Sequence, residues 1–195
     1  LGGTLVVTMT GTGTTTLPIA SGCSVSLGAG PTTTLADHAS SGITINGTLT
    51  VTSGTWTVNN TTVNSASEMA ITVASGGTIT HNGTTPGWIF TDTGLIINSG
   101  GTVTYGGTAM NISRNFQQDG TLTATGLTVT LDGDSGVNDA DLFSCTGTWT
   151  GGLTINKINA TSTAILTGNC TVPGDFTRTD GVITNPAAAR SLIVQ

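Results

Sequence analysis

Ile71-Thr72-Val73-Ala74-Ser75-Gly76-Gly77-Thr78 and Leu95-Ile96-Ile97-Asn98-Ser99-Gly100-Gly101-Thr102 are one phrase written twice. A short β-branched run ends in a glycine corner, and a threonine restarts the chain. Outward from this pair the phrase recurs in looser form. Upstream it is Ile43-Thr44-Ile45-Asn46-Gly47-Thr48; downstream it is Leu122-Thr123-Ala124-Thr125-Gly126-Leu127-Thr128. It fades at Leu153-Thr154-Ile155-Asn156 and at Cys170-Thr171-Val172-Pro173-Gly174-Asp175. Steps of roughly 20 to 28 residues fall in the range of stacked, solenoid-like folds. The repeat speaks of shape and names no reaction.

Between the phrases lie more alternating runs, such as Leu49-Thr50-Val51-Thr52, Thr55-Trp56-Thr57-Val58, Thr78-Ile79-Thr80 and Thr128-Val129-Thr130-Leu131. Period two sends the apolar set inward and the threonines outward. Two or three short strands per repeat, joined at glycines, predict a parallel β-helix of about eight coils, stacked at the usual strand spacing of about 4.8 Å. The segments begin near Leu5, Cys23, Ile43, Ile71, Leu95, Leu122, Leu153 and Cys170. The alternative is an antiparallel β-sandwich with strand-donation assembly, because Asn46-Gly47, Asn82-Gly83, Asp119-Gly120, Asp132-Gly133 and Asp180-Gly181 read as hairpin turns.

Composition agrees with an all-β chain. Its 195 residues suit a single domain spanning 1–195. Charged residues are only 7%, and the polar content is 44 Thr and 15 Ser. Threonine is stiff at χ1 and at ease on a pleated surface, and 29 glycines supply corners. Net charge is −6, and the basic residues Arg114, Lys157, Arg178 and Arg190 are scattered. That argues against nucleic acid, which is held by clustered Lys and Arg, and against an anionic membrane surface. No apolar run is long enough for a membrane-spanning helix. An acidic, Thr/Gly-rich chain with one lysine reads as extracellular or cell-surface. Its start at Leu1 predicts that an upstream segment has been removed.

Leu153-Thr154-Ile155-Asn156-Lys157, Thr163-Ala164-Ile165-Leu166-Thr167-Gly168-Asn169, Val172-Pro173-Gly174-Asp175-Phe176-Thr177 and Asp180-Gly181-Val182-Ile183-Thr184 carry a further likeness. They resemble the degenerate β-solenoid repeats of bacterial surface and adhesin-type proteins. The resemblance covers most of the chain after residue 40 and implies a right-handed β-helix in an elongated, exported surface protein. It transfers no catalytic site. Residues 1–40, with Thr14-Thr15-Thr16 and Thr32-Thr33-Thr34, fit it worst and read as a cap or assembly segment.

Chemistry is hard to find. Proton-transfer catalysis needs a pair of acid–base groups in hydrogen-bond reach. Asp92 with Asp119, and His81 with Tyr105, are each about one coil apart, with no motif around them. No Gly-x-Ser-x-Gly elbow occurs. The expectation is a protein that is not an enzyme and holds no organic cofactor. One acidic loop, from Asp132 to Asp141, offers Asp132, Asp134, Asn138, Asp139 and Asp141 as oxygen ligands for calcium; Asp, Asn and Gly are equally the residues of a plain turn. Cys145 and Cys170 are 25 residues apart, about one repeat, a spacing that lets neighbouring rungs carry a disulfide. The other reading is buried thiols acting as small core residues. Glycosylation sequons stand at Asn46, Asn59, Asn60, Asn82, Asn111, Asn159 and Asn169, little more than the abundance of Ser and Thr produces by chance.

The leading functional reading is a structural subunit of an extracellular filament, fibre or surface layer. Leu5-Val6-Val7-Thr8-Met9 and Ser191-Leu192-Ile193-Val194 are bare β-prone strands without a charged cap, and such edges pair with further copies of the chain. A carbohydrate-binding or carbohydrate-cleaving β-helix, such as a phage tail-fibre or spike segment, is the alternative, with surface glycans as partners. It needs exposed aromatics among Trp56, Trp88, Trp149 and Tyr105, and the parity of Trp56 and Trp149 against their flanking threonines predicts burial instead. Ice binding is a third reading. Thr-x-Thr recurs at Thr48/Thr50, Thr55/Thr57, Thr78/Thr80, Thr102/Thr104, Thr121/Thr123, Thr128/Thr130 and Thr148/Thr150, but at irregular sequence intervals.

Overall fold

The computed structural model describes residues 4–8, 16–29, 32–36, 42–60, 69–83, 87–91, 93–133, 140–146, 149–157, 160–186 and 189–195. Its elements are all strands. They come first in triplets: β1 (Thr4–Thr8), β2 (Thr16–Ile19) and β3 (Ser24–Ala29), then β4 (Thr32–Ala36), β5 (Gly42–Ile45) and β6 (Thr48–Ser53). The same cycle continues with β7 (Trp56–Asn60), β8 (Met69–Val73) and β9 (Thr78–His81), then β10 (Trp88–Thr91), β11 (Thr93–Ile97) and β12 (Thr102–Tyr105). It closes with β13 (Ala109–Ile112), β14 (Phe116–Gln118) and β15 (Thr121–Ala124). Afterwards come β16 (Thr128–Leu131), β17 (Ala140–Cys145), β18 (Leu153–Asn156), the long β19 (Thr163–Val172), β20 (Phe176–Asp180), β21 (Val182–Thr184) and β22 (Leu192–Val194).

Each strand pairs with the strand one cycle away. The first sheet runs β1-β4-β7-β10-β13-β16-β18-β20, the second β2-β5-β8-β11-β14-β17-β19-β21, and the third β3-β6-β9-β12-β15. Every pairing among the described residues is parallel. This is the parallel β-helix, and the antiparallel sandwich is excluded. The apparent hairpin turns are corners between sheets: Asn46-Gly47 joins β5 to β6, Asn82-Gly83 follows β9, Asp119-Gly120 joins β14 to β15, Asp132-Gly133 follows β16 and Asp180-Gly181 joins β20 to β21. The described strands of residues 1–40 already belong to these three sheets.

The hydrogen-bond ladder continues around the corners. Ala74 N–H donates to Ile45 O (2.9 Å), Asn98 N–H to Val73 O (2.9 Å) and Asp119 N–H to Ile97 O (2.8 Å). Past the glycines, Thr78 N–H meets Gly47 O (2.8 Å) and Thr102 N–H meets Gly77 O (3.0 Å). Corner backbone is thereby satisfied without water, as buried polar groups require. Two kinds of glycine make this work. Gly76 and Gly100 hold φ of 81° and 83°, the left-handed region. Gly77 has no such φ, but a Cβ there would land on the carbonyl oxygen of Ile45 one rung below.

Alternation fills the interior. Ile43, Ile71, Leu95, Phe116 and Phe143 stack in one inward column of the second sheet, and Trp56, Trp88, Met110, Val129 and Leu153 in one of the first. All are buried. After Ile45, Val73 and Ile97 the next member of the column is Gln118, fully enclosed. Its Nε2 donates to Thr146 Oγ1 (2.7 Å) and Gly120 O (3.0 Å), and its Oε1 accepts from Thr146 N–H (3.1 Å). Nearby, Asn115 Oδ1 accepts from Leu142 N–H (2.7 Å). Where the third sheet ends at β15, the Gln118 amide takes up Gly120 O at the entry to that strand. Thr150 carries the rung on, donating its N–H to Ala124 O (3.0 Å) and accepting from Leu127 N–H (2.8 Å).

Candidate functional site

Three places carry chemistry beyond packing. The first is the outer face of the third sheet. Strand register places Ser24, Thr48, Thr78, Thr102 and Thr121 in one column. Ser26, Thr50, Thr80, Thr104 and Thr123 form a second. None is buried, and no charged side chain interrupts either column. The sequence intervals between these residues are uneven, but the strands themselves are in register, and the extra residues fall between strands. Of the Thr-x-Thr pairs in the sequence, 48/50, 78/80, 102/104 and 121/123 thus share this face in register despite their uneven intervals. Rung spacing and the repeat of two residues along a strand set a hydroxyl grid of about 4.8 Å by about 6.7 Å.

The second place is internal. His81 and Tyr105 occupy the same register position on adjacent rungs and stack with centroids 4.9 Å apart. Trp88 packs edge-on against both rings, at 5.9 Å from His81 and 5.0 Å from Tyr105, and Trp56 meets Trp88 at 5.4 Å. His81 Nε2 lies 2.9 Å from Gly54 O, while its Nδ1 is buried without a hydrogen-bond partner among the described residues. Burial lowers the His81 pKa, opposed by the Gly54 contact. Tyr105 donates its hydroxyl to Ala109 O, and burial raises its pKa. Trp56, Trp88, Trp149 and Tyr105 are all at most 3% exposed. These rings form a core cluster with no face available to a sugar.

The third is the neighbourhood of the acidic loop. Asp134, Asn138 and Asp139 lie outside the described residues. Asp141 points inward, and its Oδ2 accepts from Lys157 Nζ. Both side chains are sealed, at 2% and 0% exposure. Asp141 is thus engaged by an ammonium group, and one carboxylate leaves the calcium set. Among the described residues no group of three or more His, Cys, Asp and Glu side chains comes together. The lysine went unnoticed in the sequence as one of four scattered cations. Parity would have found it: Leu153, Ile155 and Lys157 alternate inward, as do Asp141, Phe143 and Cys145.

Cys145 and Cys170 are register partners and form a disulfide, Cα–Cα 4.3 Å, both sulfurs inside; Cys23 is a free, exposed thiol. Asp119 is exposed, and Asp92 lies outside the described residues. Of the sequons, Asn82 is exposed, while Asn46 and Asn111 are half-buried. Asn169 is exposed but accepts from Ser191 N–H at 3.0 Å. Asn59 and Asn60 lie in β7, where only the backbone is described, and Asn159 lies outside the described residues. No helix among the described residues is long and apolar enough to cross a membrane. No protein-family model, curated protein or solved structure matches the chain.

Proposed function

We propose that this chain is a non-enzymatic structural protein of an extracellular fibre or surface layer, extended by pairing of β-helical ends with further copies of itself. One observation carries the reading. The three inward columns run on into Phe176, Ile183 and Leu192, which pair with Leu153, Ala164 and Cys170 on the rung below. The lower three are wholly buried, whereas the last three are only partly covered. Around them Val182, Ile193 and Val194 are 41–51% exposed. β20 and β21 end their sheets, and such edges are templates for pairing. A further rung of the same architecture would bury these residues at about 25 cal/mol per Å² of apolar surface.

This end is not free of charge, contrary to the bare strand read from the sequence. Arg178 donates to Gly181 O (2.6 Å), Asp180 Oδ1 accepts from Gly181 N–H (2.8 Å), and Arg190 donates to Leu166 O (2.8 Å). These groups are spent on the chain's own backbone and leave the apolar columns open. Electron microscopy of the purified chain tests the proposal. Filaments are expected, and Ile193→Pro together with Val7→Pro should give monomers with unchanged β-type circular dichroism. Monomeric wild-type protein at high concentration sinks the reading.

A second reading rests on the hydroxyl grid of the third sheet. An uncharged array of hydroxyls and methyls repeating at the strand spacing is a surface on which water can order. Inhibition of ice recrystallisation by the wild type, abolished by Thr80→Lys in the centre of the grid, is the expected result. No inhibition at high protein concentration removes it.

A further inference from the structure

We propose that Lys157 and Asp141 become joined by an amide bond between Nζ and Cγ, formed within the folded chain, and that it staples adjacent turns of the β-helix. Lys157 is the one lysine of the chain. It follows β18, and its side chain is drawn into the interior against Asp141, the second residue of β17, on the preceding turn. The path of its stem is built. A Cβ on Gly133 would lie 2.9 Å from Lys157 Cδ, and a Cβ on Gly181 would lie 2.7 Å from both Lys157 Cβ and Cγ. Gly133 and Gly181 have φ of 46° and 89°, so backbone and stem fit only where both positions lack a side chain. The result is a nucleophile and a carboxyl group pressed together in a dry pocket.

Such a pair is costly as ions, because two charges have lost their water. In a dry site the ammonium–carboxylate pair has a neutral amine–acid tautomer reached by moving one proton. From that tautomer the Nζ lone pair attacks Cγ, and a tetrahedral centre forms. The C–O bond then breaks, and the hydroxyl leaves with one amine proton as water. Amine plus carboxylic acid gives amide plus water, with no change of oxidation state and no co-reactant. Fixed proximity supplies effective concentrations far above those of free reagents, and the product is a neutral group that is cheaper to bury than two ions. The geometry also has a mechanical sense. β17 carries Cys145, disulfide-linked to Cys170 of β19, at its other end. Amide and disulfide together would fasten both ends of one strand to the following turn. This inference does not depend on how the ends of the molecule associate.

Mass spectrometry of the full-length, reduced and denatured chain decides it. The expected mass is the sequence mass less one water. Trypsin adds the location. Cleavable basic residues stand at 114, 157, 178 and 190. An acylated Lys157 resists the protease, so a single peptide 115–178, lighter by one water, should replace 115–157 and 158–178. Lys157→Met and Asp141→Ala should each restore the full mass calculated for the variant. The full sequence mass in wild-type protein overturns the proposal. So does a water loss with normal cleavage after Lys157, which would mark succinimide formation at Asp119-Gly120, Asp132-Gly133 or Asp180-Gly181.

Discussion

Acid should loosen this β-helix through one residue, His81. The ring sits at 1% exposure, stacked on Tyr105, with Nε2 directed at Gly54 O. That contact selects the neutral tautomer that keeps its proton on Nε2. A second proton would go to Nδ1, which has no acceptor among the described residues, and would place a charge inside the aromatic cluster. Burial accordingly lowers the folded-state pKa below the ordinary 6.5, while the unfolded chain keeps the ordinary value. The sign follows from linkage. Above pH 6.5 both states are neutral and nothing is lost; below it the unfolded chain takes up a proton that the folded chain refuses, so stability falls as pH falls. Each pH unit below 6.5 removes about 1.4 kcal/mol, until the folded-state pKa is reached. The assay is urea denaturation followed by tryptophan fluorescence, from pH 8 down to pH 5, for wild type and His81→Leu. Wild type should show a descending limb below about pH 6.5. In His81→Leu that limb should flatten, whatever the variant's absolute stability. Parallel curves for wild type and His81→Leu would show that the buried imidazole is not the acid-sensitive group.

Three further outcomes follow from the same packing. Gly76→Ala should cost about 1–2 kcal/mol, the left-handed penalty for a side chain with open space around it. Gly77→Ala should cost more, because its obstacle is backbone of the rung below, and equal urea midpoints for the two variants would contradict this. The disulfide of Cys145 and Cys170 closes a 25-residue loop, so Cys145→Ala should lower stability by about 3 kcal/mol; since both sulfurs are buried, reductant should act only after unfolding, and rapid reduction of native protein would refute the placement. Gln118→Ala should cost about 2–4 kcal/mol by emptying a core site and stripping Thr146 N–H of its acceptor, and a change within about 0.5 kcal/mol in thermal denaturation would show that the amide is dispensable.

Much of the fold was legible because its rules are local. Alternation at Leu49-Thr50-Val51 and Thr78-Ile79-Thr80 settles which side faces inward, and the parity of Trp56 and Trp149 settled their burial. What was misread is long-range. Asn46-Gly47 and Asp119-Gly120 favour a tight change of direction, but the dipeptide does not say whether the next strand returns beside the last or turns onto another sheet. That choice belongs to stacking partners 20 to 30 residues away, such as Ile19 for Gly47 and Ile97 for Gly120. The Lys157–Asp141 pair was hidden for a related reason. Its members lie 16 residues apart with no motif between them, and the turn that joins them exists only in the stacked form.

The hydroxyl grid shows how the two levels meet. From Ser24 to Thr48, Thr78, Thr102 and Thr121 no constant interval exists, yet the residues are register neighbours. Register in a parallel sheet is set by which residues must be buried, since a slip of one would turn a whole strand's apolar set outward. Leu49, Ile79, Val103 and Leu122 supply that constraint on the inner face, and all are 0–3% exposed. The outer face inherits its regularity from the inner one, while insertions are absorbed between strands. A surface lattice can therefore be accurate in space and irregular in sequence. Replacing Ile79 by Thr would test the point from inside: it should disturb the outer grid by letting the strand slip, although the outward threonines are untouched.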